Sequence, residues 1–172
     1  MSGQTEKASA LRRLATVDLE LSLLAYLTWV GLKPLSRYEA ELDGPTLAAL
    51  GELGLETRHV RRKLLGHGIR HEQVFSASAA LVELYAEVFE GQAVAIDRRL
   101  GLLEGQLFGF PPCCAVSYVD EGYLGNELET AEQAELFHWA CPGCELTPLL
   151  VPRYREARRH LEAMLEQGAM SS

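Results

Sequence analysis

Leu11, Leu14, Val17, Leu21, Leu24 and Leu27 recur every three or four residues, the spacing that lines apolar side chains along one face of an α-helix. The pattern predicts one long helix, from near Thr5 to the stop formed by Gly31 and Pro34. Asp18 and Glu20 interrupt its apolar stretch and read as the solvated flank of an amphipathic helix rather than as ligands. Asp43-Gly44-Pro45 predicts a turn, followed by a short helix to about Leu53 and a break at Gly54. Residues 57–65 predict a second short helix that carries Arg58, His59, Arg61, Arg62 and Lys63. Gly66-His67-Gly68 stops it, and the same glycines make His67 and His71 loop residues rather than a helical metal pair.

Ser76 or Ser78 predicts the cap of a helix running to Glu90, with Leu81, Leu84, Tyr85 and Val88 inward. Residues 93–96 read as one short strand. Asp97 caps the next helix, which bears Leu100, Leu103 and Leu107 and closes at Gly109. Pro111-Pro112 opens another, because proline suits a first turn whose amide hydrogens have no partner; it ends near Gly122. Thr130 and Gln133 form a capping box for a helix through about Trp139. The last helix starts between Pro148 and Pro152 and runs to Gln167, with Tyr154, Leu161 and Leu165 inward and Gly168 as its stop. The expected fold is therefore mainly α: one compact multi-helix domain over residues 1–172, with at most one or two short strands.

Composition narrows the function. With 48% apolar and 23% charged residues, the chain is an ordinary globular one. Its net charge of −8 is uneven: residues 1–75 carry ten basic and nine acidic side chains, residues 76–172 six basic and fifteen acidic. An acidic half argues against nucleic acid as a partner, since that binding runs on clustered Lys and Arg. Arg58, Arg61, Arg62 and Lys63 read as a solvated helix face, with no glycine-rich phosphate loop beside them. The uncharged run at residues 21–32 is shorter than the roughly 18–20 residues that span a bilayer, and it has no signal-peptide setting. The expectation is a cytoplasmic protein, with no membrane partner, other partners unknown and self-association left open.

All four cysteines fall in one late window: Phe110-Pro111-Pro112-Cys113-Cys114, then His138-Trp139-Ala140-Cys141-Pro142-Gly143-Cys144. No Lys or Arg lies between Arg99 and Arg153, while eight acids do. Thiolates in such a stretch need a positive partner, and a metal ion or iron–sulfur cluster is the simplest. Cys141-Pro142-Gly143-Cys144 is a tight turn that points two sulfurs at one ion, and His138 adds a donor three residues earlier. Cys113 and Cys114 are adjacent, and neighbouring helical side chains point about 100° apart. Two arrangements answer this. One member of the pair joins Cys141, Cys144 and His138 around zinc, or both ligate different irons of an iron–sulfur cluster. Asp120-Glu121 and Glu127-Glu129 are close enough in sequence to reach a metal but read as solvated acids; His59 and His160 read as surface positions.

The segment Leu107-Phe108-Gly109-Phe110-Pro111-Pro112-Cys113-Cys114, with His138-Trp139-Ala140-Cys141 downstream, resembles an uncharacterised prokaryotic family, domain of unknown function 483. That family's pattern is similar to Gly-aromatic-Pro-x-Cys-Cys followed by His-x-x-Cys and one more cysteine. The resemblance spans roughly residues 97–155 and implies that Cys113, Cys114, His138, Cys141 and Cys144 form one site. It implies no reaction. The two-residue spacer before Cys144 is shorter than the family's usual one. The leading expectation is a metal-binding protein with zinc or an iron–sulfur cluster held within residues 109–148. Its rival is a thiol-based redox protein or enzyme with a reactive cysteine at the start of the helix after Pro112.

Overall fold

The structure, a computed structural model, describes residues 2–64, 66, 68–94 and 97–169. Among these, eight helices surround a small three-stranded antiparallel sheet, so the mainly helical class holds. The sheet has one strand more than the sequence suggested.

The long N-terminal helix is two helices. α1 (Ser2–Val17) and α2 (Leu19–Trp29) are separated by Asp18, whose extended backbone lets its side chain accept a hydrogen bond from the amide of Glu20. A carboxylate in that position satisfies an amide that has no partner within the helix. Its other oxygen accepts from the Tyr38 hydroxyl at 2.8 Å. Asp18 is thus a helix cap and an anchor, not a merely solvated flank. After β1 (Ser36–Tyr38), α3 (Gly44–Glu52) follows its expected course, with Asp43 as cap and Pro45 in its first turn.

The largest correction concerns residues 57–65. No helix forms among its described residues: β2 (Glu56–Lys63) and β3 (Ile69–Ser76) make an antiparallel hairpin, and β1 pairs with the other edge of β3. The alternation that would mark β2 is present, since Val60 and Arg62 both point inward. One of these inward residues is charged, so the hydrophobic signal is lost. Its register partner strand does the same with Glu72, which is fully buried opposite Val60. These charges answer one another. Arg62 pairs with Glu104, Arg37 lies 2.8 Å from Glu104 and 3.5 Å from Glu72, and the Tyr85 hydroxyl is 2.8 Å from both acids. The supposed basic face is therefore divided: Arg58 and Arg61 pair outward with Glu83 and Glu90, and Arg62 is core.

The sheet separates two apolar layers. Phe75 joins α1, α2, α3 and the last helix in one cluster; Val60 and Val74 join α4 (Ala79–Phe89) and Phe108 in the other. On α4 the inward residues include Val82, Tyr85 and Phe89, whereas Leu84 is exposed. Of the strand expected at 93–96, Ala93 bridges Lys63; residues 95 and 96, like His67, lie outside the described residues. α5 (Arg98–Leu107) is capped by Asp97, which accepts from the amides of Arg99 and Leu100. α6 (Pro112–Glu121) lies close against it: a Cβ on Gly105 would stand 2.9 Å from the Ala115 methyl. The capping box at Thr130 does not form. α7 (Thr130–Gln133) is a single turn, and Gln133 instead receives the Ala140 amide and donates to the His138 carbonyl. α8 (Thr147–Ala169) begins earlier than expected and carries Pro152 inside it, with Tyr154 and Leu161 buried. No described helix is long and apolar enough to cross a membrane.

Candidate metal centre

Gly109 sets the approach of the first cysteine pair. Its φ of +75° belongs to the left-handed region, and an added Cβ would meet Pro34 at 2.7 Å; only glycine fits both demands. The chain then turns through Pro111 and Pro112 into α6, placing Cys113 and Cys114 in its first turn. Helical Cα–Cβ bonds tilt toward the N-terminus, so two adjacent first-turn side chains can converge beyond the helix start. They do: the Cys113 and Cys114 sulfurs lie 4.0 Å apart.

The second pair arrives on the turn before α8. Gly143 takes φ +66° and the Cys144 amide donates to the Cys141 carbonyl, which closes the turn. Cys144 Sγ stands 3.4 Å from Cys114 Sγ and 3.7 Å from Cys113 Sγ, and Cys141 Sγ is 3.8 Å from Cys114 Sγ. All four sulfurs lie within 4.8 Å of one another, a grouping that can hold a metal ion. Cys113 is exposed, Cys114 buried, and Cys141 and Cys144 are half-buried. Solvent thus reaches the site most freely at Cys113 and least at Cys114.

His138 is buried nearby but lies outside this set. Its Nε2 is 3.0 Å from the Thr147 hydroxyl, and its ring packs on Phe110. Thr147 was not singled out from the sequence, yet its oxygen lies 3.2 Å from Cys144 Sγ and 3.4 Å from Cys114 Sγ. The Cys144 thiol donates to the Thr147 hydroxyl, which can accept from His138 Nε2–H as well and give its one hydrogen to Cys114 Sγ. Burial, and then the charge of Lys33, lower the His138 pKa to about 4, so the ring is neutral near neutral pH. Backbone amides add to the set: Cys141 N–H donates to Cys114 Sγ and Thr147 N–H to Cys144 Sγ. The one cue in the sequence was a hydroxyl residue three positions after the last cysteine.

The cysteines differ electrostatically. Burial works against a Cys144 thiolate, but the Thr147 hydroxyl and amide together with the Cys114 thiol outweigh it and bring the pKa to about 6. Burial pushes the Cys114 thiol up, against the Thr147 and Cys141 hydrogen bonds. It also pushes Cys141 up, reinforced by the sulfurs of Cys113 and Cys114. The neighbouring sulfurs thus favour one thiolate, at Cys144, and oppose a second, at Cys141; a cation would let all four ionise together. Among the acids, Glu127 accepts the Gly143 amide at 2.8 Å and braces the turn, while Asp120 pairs with Arg98. A looser exposed group stands elsewhere: His59 Nε2 lies 3.0 Å from His71 Nδ1, and Glu41 is 3.8 Å from His71.

No protein-family model matches the chain, and no curated protein or solved structure is significantly similar to it.

Proposed function

We propose that the chain is a metal-binding protein in which Cys113, Cys114, Cys141 and Cys144 hold one tetrahedral ion, zinc, as a structural clip. The observation that carries this reading is the spacing of the sulfurs. Four bonds of 2.3 Å at tetrahedral angles place sulfurs about 3.8 Å apart; four pairs here fall between 3.4 and 4.0 Å. An iron–sulfur cluster divides four thiolates among two or four irons and spreads the ligands farther. His138 then acts one step back: through Thr147 it fixes the orientation of Cys114 and Cys144, as residues behind a metal ligand commonly do. Zinc supplies charge, neutralising thiolates that no lysine or arginine between Arg99 and Arg153 could neutralise.

The clip has a mechanical task. Between α6 and α8 the described chain holds only the single turn α7, so few backbone hydrogen bonds fix that segment. Joining the start of α6 to the start of α8 would secure it. We extend the proposal to a shared origin with the domain of unknown function 483 family, on the double-cysteine motif alone. The rival reading, a reactive thiolate at the start of α6, is weaker at Cys114, whose pKa burial raises, and leaves the exposed Cys113 as its candidate. Titration of the purified chain with zinc while counting thiols decides between them: the zinc reading expects four thiols protected by one equivalent.

A further inference from the structure

Lys33 is 3% exposed, in a stretch where the chain leaves α2 for β1. Buried lysines are almost always paired with a carboxylate. Lys33 has no ion pair within the described residues; its one hydrogen-bond acceptor is the Phe108 carbonyl at 3.2 Å. Around its nitrogen stand three aromatic rings, Phe110 at 5.2 Å, Phe137 at 5.4 Å and Phe108 at 5.8 Å. Lys33 also lies in the wall of a cavity of about 390 Å³, shared with Glu20, Leu24, Arg37, Tyr38 and Phe137. A core position needs none of this: a leucine or methionine would pack the same space without desolvating an amine.

We propose that Lys33 is a nucleophilic amine that condenses with a small aldehyde or ketone admitted to this cavity. The two conditions that make a lysine nucleophilic near neutrality are desolvation and a neighbouring cation. Both are present, since burial and then Arg37 lower its pKa to about 7. In the reaction the neutral nitrogen attacks the carbonyl carbon, a C=N bond replaces the C=O bond, and the oxygen departs as water with both amine hydrogens. No electrons are gained or lost overall. The apolar rings face the carbon skeleton of the substrate, and burial first, then Arg37, itself held by Glu39, Glu72 and Glu104, raises the share of uncharged amine near neutral pH. This site is separate from the cysteines and stands or falls independently of the zinc reading.

The chain has three lysines, Lys7, Lys33 and Lys63, which makes the test direct. The folded protein is treated with acetaldehyde and sodium cyanoborohydride at pH 7, and alkylation of each lysine is followed over time by peptide mass spectrometry. Lys33 is expected to react at least about tenfold faster than Lys7 and Lys63, which lack its desolvated, aromatic-lined setting. The preference is expected to disappear in denaturant. Lys33 reacting no faster than the other two, or a preference that persists in the unfolded chain, would overturn the proposal. Lys33→Met, which keeps a linear apolar stem, should remove the fast phase and leave the slow labelling of the other lysines; a fast phase that survives it also counts against Lys33.

Discussion

Cys114 and Cys144, thirty residues apart in sequence, hold their sulfurs 3.4 Å from each other. The contact joins the first turn of α6 to the residue three positions before α8. If it forms around an ion, binding energy at this site is also folding energy.

Cys141→Ser, or removal of metal by a chelator, is therefore expected to destabilise the fold by several kcal/mol, the scale of structural zinc centres. Thermal melting before and after chelation checks this. Equal melting temperatures in the two states would show that the cysteines do not secure the fold.

His138 separates a ligand from a supporting residue. His138→Ala and Thr147→Val are each expected to leave one metal per chain while weakening affinity by about 10–100-fold, measured by competition with a chromogenic chelator. Loss of stoichiometric metal in His138→Ala would make the imidazole a ligand.

Much of the frame around this site was legible from the sequence. Asp97 and Gly109 mark the start and end of α5 and Pro112 the start of α6, and each does so locally, through a cap, a left-handed turn and a fixed φ. The four cysteines were legible as a group because nothing else in an acidic stretch explains them. The hairpin was not, because Arg62 and Glu72 occupy inward positions that the alternation rule reserves for apolar side chains. Their partners Arg37, Tyr85 and Glu104 come from other elements, and no local window contains them. The break at Asp18 was hidden for a related reason: the leucine spacing runs unbroken across it, and only the bond from Tyr38 marks the residue as an anchor. Convergence of Cys113 and Cys114 depends on both side chains leaning past the helix start, which the angle between neighbours alone does not reveal.

The buried network under the sheet sets a second stability test. Arg62, 2% exposed, pairs with Glu104 and donates to the Ala93 carbonyl at 2.9 Å. Arg62→Ala leaves buried carboxylates without that charge, at an expected cost of about 3–5 kcal/mol. Arg58→Ala, which breaks an exposed pair with Glu83, should cost less than about 1 kcal/mol. Urea unfolding of both variants gives the comparison, and equal costs would contradict the division of this cluster into core and surface.

Lys33 predicts a pH dependence whose sign is fixed by its burial. Its folded pKa is lowered to about 7 from an ordinary value of 10.5. Between those two values the unfolded chain holds the proton and the folded chain has lost it. Folding stability from this group therefore rises with pH across that window, by up to about 1.4 kcal/mol per unit. Below pH 7 both states are protonated and the burial penalty is present in full. Lys33→Met should accordingly stabilise the protein more at pH 6 than at pH 9. A gain independent of pH, read from urea midpoints, would show that the amine is not desolvated.

The most direct test of the central claim is X-ray absorption at the metal edge, on protein purified without oxygen, with metal content measured on the same sample. The account predicts one zinc per chain, surrounded by four sulfurs at about 2.3 Å, and no bound zinc in Cys114→Ser. A preparation free of metal with four reactive thiols, or one with several irons per chain, would contradict it.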